Sequence, residues 1–226
     1  GAFLGKLALN KVAIVGLGGT GGYVLDLISK TPVREIHLFD HDEFLTHNAF
    51  RTPGAASLDE LRAKPHKVDY LTGIYSKMHR GIVPHTMFIN CDNVASLGSM
   101  DFVFICIDDG GAKRIIVDAL DETGTPFIDV GMGIYAGDGG LGGILRVTAC
   151  TARKRDHVAT RIALAPAIGV DEYSTNIQIA ELNALNAALA VIKWKKIVGF
   201  YMDFVGEHHS TYGIEVQLLT KEDAAT

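Results

Sequence analysis

The stretch Lys11-Val-Ala-Ile-Val-Gly-Leu-Gly-Gly-Thr-Gly21 decides the architecture. A short, β-branched apolar run that stops at glycines reads as a strand buried on both faces. The glycines then follow G-x-G-x-x-G spacing through Gly16, Gly18 and Gly21, with Gly19 doubling the second, at a strand-to-helix junction. Bare backbone can turn tightly there and approach a phosphate, and the helix start offers free amides and partial positive charge. A helix is predicted from about Gly19 to Ser29. Thr31-Pro32 ends it, because the residue before proline disfavours the helical region.

Working outward, Glu35–Asp40 reads as a second strand and residues 41–56 as a long functional loop. Ser57-Leu-Asp-Glu60 fits a capping box that opens a helix running to about Tyr75. Strands are expected at Ile82–Asn90, at Asp101–Asp108 (apolar on both faces, hence central) and at Pro126–Val130, with a helix near Ala112–Leu120. Residues 131–143 hold seven glycines, read as tight turns and hairpins or as backbone that a ligand approaches closely. Ile144–Ala149 and Ile214–Leu219 read as later, antiparallel strands. Thr175–Lys196 is strongly helical, and the apolar residues around much of its circumference imply burial in the domain or in an oligomer contact. Residues 150–172, with Arg153, Lys154, Arg155 and Arg161, read as a mobile connection. The alternation gives an α/β fold: a Rossmann-like, mainly parallel sheet flanked by helices, with antiparallel strands added toward the C-terminus, in one domain over residues 1–226.

Composition narrows the function. The 226 residues are 48% hydrophobic and 21% charged, enough for a substantial buried core and unlike a disordered chain. A net charge of −5 argues against a nucleic-acid grip built on bulk positive charge. Cys91, Cys106 and Cys150 form no Cys-x-x-Cys pair, so neither a disulfide framework nor structural zinc is expected. No apolar run is long enough to span a membrane, and the expected compartment is cytoplasmic. The opening Gly1-Ala2-Phe3 has no Met, which fits a domain excised from a longer chain. Glu207-His208-His209 reads as a solvated loop.

Asp40 ends the second strand at a spacing that suits a carboxylate accepting hydrogen bonds from a ribose diol, or simply starting a turn. Up to this residue an NAD-dependent oxidoreductase and an ATP-using enzyme account for the sequence equally well. The next residues separate them. Asp40-His-Asp-Glu-Phe-Leu-Thr-His-Asn-Ala-Phe-Arg51 places Asp40, Asp42, Asn48 and Arg51 in one stretch. With the doubled-glycine turn, this resembles the ThiF/MoeB family of the ubiquitin-activating enzyme superfamily. Lys67-Val68 on the following helix and Asp108-Asp109 after an apolar strand agree with the likeness. It covers residues 10–135 well and the remainder only in layout.

The resemblance implies ATP- and Mg²⁺-dependent adenylation of the C-terminal carboxylate of a ubiquitin-like or sulfur-carrier protein, with loss of pyrophosphate. It also implies a homodimer. On this reading Gly16, Gly18, Gly19 and Gly21 cradle phosphate, Asp40 takes the ribose with support from Asp42, and Asn48 donates to phosphate or orients the loop. Arg51 and Lys67 neutralise the triphosphate, and Asp108 holds the metal. Catalysis rests on Arg51, Lys67 and Asp108, because two anions must be brought together. Lys64 competes with Lys67 and Asp109 with Asp108, and Arg51 has the plainer reading of a solvated loop charge. Residues 151–175 hold no cysteine, so a carrier–enzyme thioester within this chain is not expected. A noncatalytic nucleotide-binding scaffold subunit is the other alternative to an enzyme.

Overall fold

Val12, Ala13 and Ile14 are wholly buried, as a strand covered on both faces requires. They lie at the centre of a computed structural model that describes residues 1–166 and 177–225. Five strands form the parallel part of the sheet: β1 (Lys11–Val15), β2 (Glu35–Phe39), β3 (Ile82–His85), β4 (Phe102–Ile105) and β5 (Phe127–Gly137). Four antiparallel strands extend it: β6 (Gly140–Cys150), β7 (Glu207–Gly213), β8 (Leu218–Leu219) and β9 (Glu222–Ala224). The order is β3-β2-β1-β4-β5-β6-β7-β8, with β9 also on β7. The expected fold class is therefore found.

The helices are α1 (Ala2–Gly5), α2 (Gly19–Ile28), α3 (Thr46–Ala49), α4 (Leu58–Ala63), α5 (Lys67–Tyr75), α6 (Gly110–Thr123), α7 (Val158–Arg161) and α8 (Ala180–Ile197). One apolar layer joins α2, α5 and α8 to the sheet through Val24, Leu25, Val68, Leu71 and Trp194, whose ring lies 6.2 Å from that of Phe104. The opposite layer sets Ile116, Val117 and Leu120 of α6 against Ala13, Val15, Val103 and Phe127. Burying these side chains supplies the main drive to fold, at about 25 cal/mol per Å² of apolar surface.

Several elements differ from expectation, each for a local reason. The helix begun by the Ser57/Glu60 capping box stops at Ala63. Lys64 is left-handed (φ 45°) before Pro65, and α5 starts afresh at Lys67. The third strand ends at His85 rather than Asn90, and in a turn the Asn90 N–H instead donates to Asn93 Oδ1 while the Asn93 N–H donates to the Asn90 carbonyl. The glycine-rich segment forms the arms of a long β5–β6 hairpin, so β5 reaches Gly137 and β6 begins at Gly140.

The strand expected at Ile214–Leu219 lies earlier, at Glu207–Gly213, leaving only Leu218–Leu219 as β8. Glu207, His208 and His209 are consequently buried in β7 and are not a solvated loop. Where it is described, the connection after Cys150 is tied down by ion pairs: Arg155 pairs with Asp121 at 2.5 Å and Arg161 with Asp223 at 2.8 Å. The first residues of the predicted Thr175–Lys196 helix, like residues 167–172 of the connection, lie outside the described residues. The buried line of α8 runs through Asn183, Asn186, Ala187, Ala190, Val191 and Trp194, leaving its leucines on half-buried flanks.

Candidate nucleotide and carboxylate site

β1 pairs with β2 on one side and β4 on the other, so the connections leaving β1 and β4 diverge and a crevice opens beyond their C-terminal ends. Each glycine of the turn has a separate task. Gly16 is left-handed (φ 91°), and a Cβ there would lie 2.7 Å from the Cys106 carbonyl oxygen. A Cβ at Gly21 would lie 1.9 Å from the Gly16 carbonyl oxygen, and one at Gly19 would strike the Asn183 side chain. These three allow α2 to close on the strand and on α8. Gly18, the N-cap of α2, faces open space, with nothing within 4 Å of a Cβ. It is the position left for a ligand to approach the backbone.

Two cavities meet over Gly18. The larger, of 230 Å³, runs past Asp40, Asp42 and Lys67 to Met87, Phe88 and Ile89. The smaller, of 60 Å³, is bordered by Thr20, Val130, Gly131, Met132, Gln178 and Asn186. Gly18, Arg51, Cys106 and Asp108 belong to both walls.

The acidic stretch after β2 braces this junction. Asp40 accepts from the Leu17 N–H at 2.7 Å through Oδ2 and from the Asp42 N–H at 2.8 Å through Oδ1, tying the glycine turn to the end of β2. Two further lone-pair positions of a carboxylate remain. Buried Lys67 donates to Asp42 Oδ2 at 2.7 Å and lies 4.0 Å from Asp40. Partial burial works to raise the Asp42 carboxyl, but the bond and charge of Lys67, with His41 and Arg51, hold it below the usual carboxylate range. Lys64 is instead the exposed C-cap of α4, outside both cavities.

Asn48 borders neither cavity. It is buried, and its Oδ1 accepts from the Leu45 N–H at 2.8 Å, so it orients the loop that carries Arg51. Burial holds the Arg51 guanidinium below its usual value, and the charges of Asp108 and Asp42 offset only part of that. Its Nε is buried with no hydrogen-bond partner among the described residues. A buried donor left in this way at the wall of both cavities fits an anionic ligand. Both acids are exposed and border the larger cavity, but Asp109 accepts from the Ala112 N–H at 2.7 Å as the N-cap of α6, whereas Asp108 also borders the smaller cavity. Burial pushes the Cys106 thiol strongly up and the Cys150 thiol up to about 12, so neither is an activated nucleophile.

The sequence matches the ThiF family over residues 2–213. The chain belongs to the ThiF family. Adenylyltransferases of the ThiF family use ATP. Among curated relatives, ubiquitin-like modifier-activating enzyme 5 of Culex quinquefasciatus is 26% identical over 138 residues, and that of Mus musculus is also 26% identical over 138. The matched region is 56% of this chain in both, but 35% of the first relative and 34% of the second. Among solved structures, PaaA superposes with a TM-score of 0.76 at 17% identity, covering 99% of this chain and 67% of that one. Escherichia coli MccB, in crystals with MccA-N7isoASN, gives 0.77 at 15% identity over the same shares. MccB with ATP gives 0.69 at 18%, covering 99% and 66%. At these identities the structural likeness establishes the shared ThiF-type fold.

Sequence reasoning missed the polar residues of the later elements. Asn183 accepts from the Thr20 hydroxyl at 2.9 Å, and Asn186 donates to the Gly131 carbonyl at 3.0 Å, so α8 is fastened to the start of α2 and to β5. Asparagines three residues apart within an apolar helix were the available signal. Asp129, fully buried, pairs with Lys113 at 2.9 Å and Arg146 at 2.5 Å beneath the same corner. Among the described residues, no helix is long and apolar enough to cross a membrane.

Proposed function

We propose that this ThiF domain uses ATP to adenylate the C-terminal carboxylate of a ubiquitin-like or sulfur-carrier protein or peptide, releasing pyrophosphate. The observation that carries the reading is the junction over Gly18, where two cavities share Arg51 and Asp108. The larger cavity takes the nucleoside, its base against Met87, Phe88 and Ile89 and its ribose near Asp40. The smaller takes the end of the acyl chain. The α-phosphate rests over Gly18 and the α2 amides, between the two.

The reaction joins two anions, so positioning and charge neutralisation make up most of the catalysis. Arg51 grips phosphate oxygens in a planar, two-pronged contact, and its unpaired Nε gains a partner when it does so. Lys67, held by Asp42, supplies a point charge to the leaving pyrophosphate. Asp108 is the residue that would hold Mg²⁺, a hard cation whose chemistry is to offset charge on phosphate oxygens. The carboxylate oxygen attacks the α-phosphorus, the bond to the β-phosphate oxygen breaks, and no protein nucleophile is needed.

The test is exchange of labelled pyrophosphate into ATP with candidate small carrier proteins, comparing wild type with Arg51→Ala and Asp108→Ala. Carrier-dependent exchange that both variants lose is expected. Full exchange in both rejects the site, and tight NADH binding without ATP binding rejects the reading. The assembly expected with this activity is a homodimer, checked by light scattering at micromolar concentration.

A further inference from the structure

Asn186 is fully buried and borders the smaller cavity. Its Nδ2 donates to the Gly131 carbonyl at 3.0 Å. That bond fixes the amide, since the opposite orientation would set Oδ1 against a carbonyl oxygen. Oδ1 is therefore an acceptor, and it is buried with no hydrogen-bond partner among the described residues. A buried amide oxygen without a donor carries a desolvation cost that a ligand N–H removes. Gly131 cannot shift to supply one. The Arg146 guanidinium lies across it, with Nη2 2.5 Å from where a Cβ would stand, and is itself held by fully buried Asp129. Nor can α8 rotate freely, because Asn183, one turn earlier, is bonded to Thr20.

Resting on the adenylation reading, we infer that Asn186 is a specificity-determining residue of the carboxylate pocket: its Oδ1 accepts the backbone N–H of the last residue of the incoming chain. The class of substrate selected is then an N-acylated amino acid or peptide terminus. A simple carboxylic acid, or a chain with an ester at that link, leaves the acceptor unpaired. The discrimination is of the strong kind, because a site built to pair a polar group rejects the analogue that lacks it.

Two probes that differ in one atom test this. They are the hydrolysis-resistant adenylate mimic N-acetylglycyl sulfamoyl-adenosine and its acetoxyacetyl counterpart, in which the amide N–H is replaced by an ester oxygen. Calorimetry on the full chain is expected to show the amide probe binding at least ~10-fold tighter than the ester, the worth of about 1.4 kcal/mol. In Asn186→Leu the two probes bind alike, while AMP binds as in wild type and reports an intact nucleotide pocket. If the leucine variant does not fold, Asn186→Ala is measured in the same way. Equal affinity of wild type for the two probes overturns the inference alone, as does discrimination that survives in the variant. Failure of wild type to bind AMP or either probe overturns the adenylation reading, and the inference with it.

Discussion

Lys67 and Asp42 are joined across the loop after β2, the ammonium donating to Oδ2 at 2.7 Å while 4.0 Å from Asp40. The pair brings a buried cation to the cavity and holds the Asp42 carboxyl ionised. Because the Asp42 pKa in the fold lies below 3.8, its contribution to stability is complete above that value and is lost as pH falls through the folded pKa. Lys67→Met should return the Asp42 titration, followed by carboxyl NMR, upward toward or beyond 3.8. It should also weaken ATP binding by at least ~10-fold. Lys64→Ala, at an exposed helix end, should change neither.

The paired acids at the end of β4 should separate in the same way. Asp109→Ala removes the α6 N-cap and should cost about 1 kcal/mol of stability in urea denaturation. Asp108→Ala should leave the denaturation midpoint near wild type while lowering pyrophosphate exchange by roughly 100-fold or more. The reverse pattern would exchange their roles.

The turn between β1 and α2 offers a glycine series. Gly18→Ala meets open space at an extended backbone angle, so the melting temperature should stay near wild type while ATP affinity falls. Gly21→Ala places a methyl against the Gly16 carbonyl oxygen and should destabilise the fold by about 1–3 kcal/mol or more. Thermal melting and calorimetry on the two variants check this directly.

His208 and His209 lie in β7, and burial lowers both pKa values below 6.5. The fold therefore favours their neutral forms. Above pH 6.5 they add no pH dependence. As pH falls below 6.5 the unfolded chain protonates first, so stability declines until the folded pKa values are passed. The melting temperature should drop between pH 6.5 and 5, and His208→Gln with His209→Gln should flatten that part of the profile.

The sequence by itself determined the parallel half of the sheet. Runs such as Val12–Val15 and Phe102–Ile105, with glycines or acids at their ends, carry their signal locally, because a strand buried on both faces must be apolar throughout. The glycine turn and Asp40 were legible for a related reason, since they stand at strand ends whose positions follow from the strands, whereas Asp42, Arg51, Lys67 and Asp108 were singled out by the resemblance to the ThiF/MoeB family and are found together around the larger cavity.

Only the tertiary structure decided the rest. That Asp108 stands where both cavities meet, and that His208 and His209 are core residues, depend on partners distant in sequence. Asn186 became part of the site only when α8 was laid against Gly131, 55 residues earlier in the chain. Local sequence sets backbone preference and the period of burial. Which polar atom is left without a partner is a property of the packed whole, because it depends on every neighbour that could have supplied one.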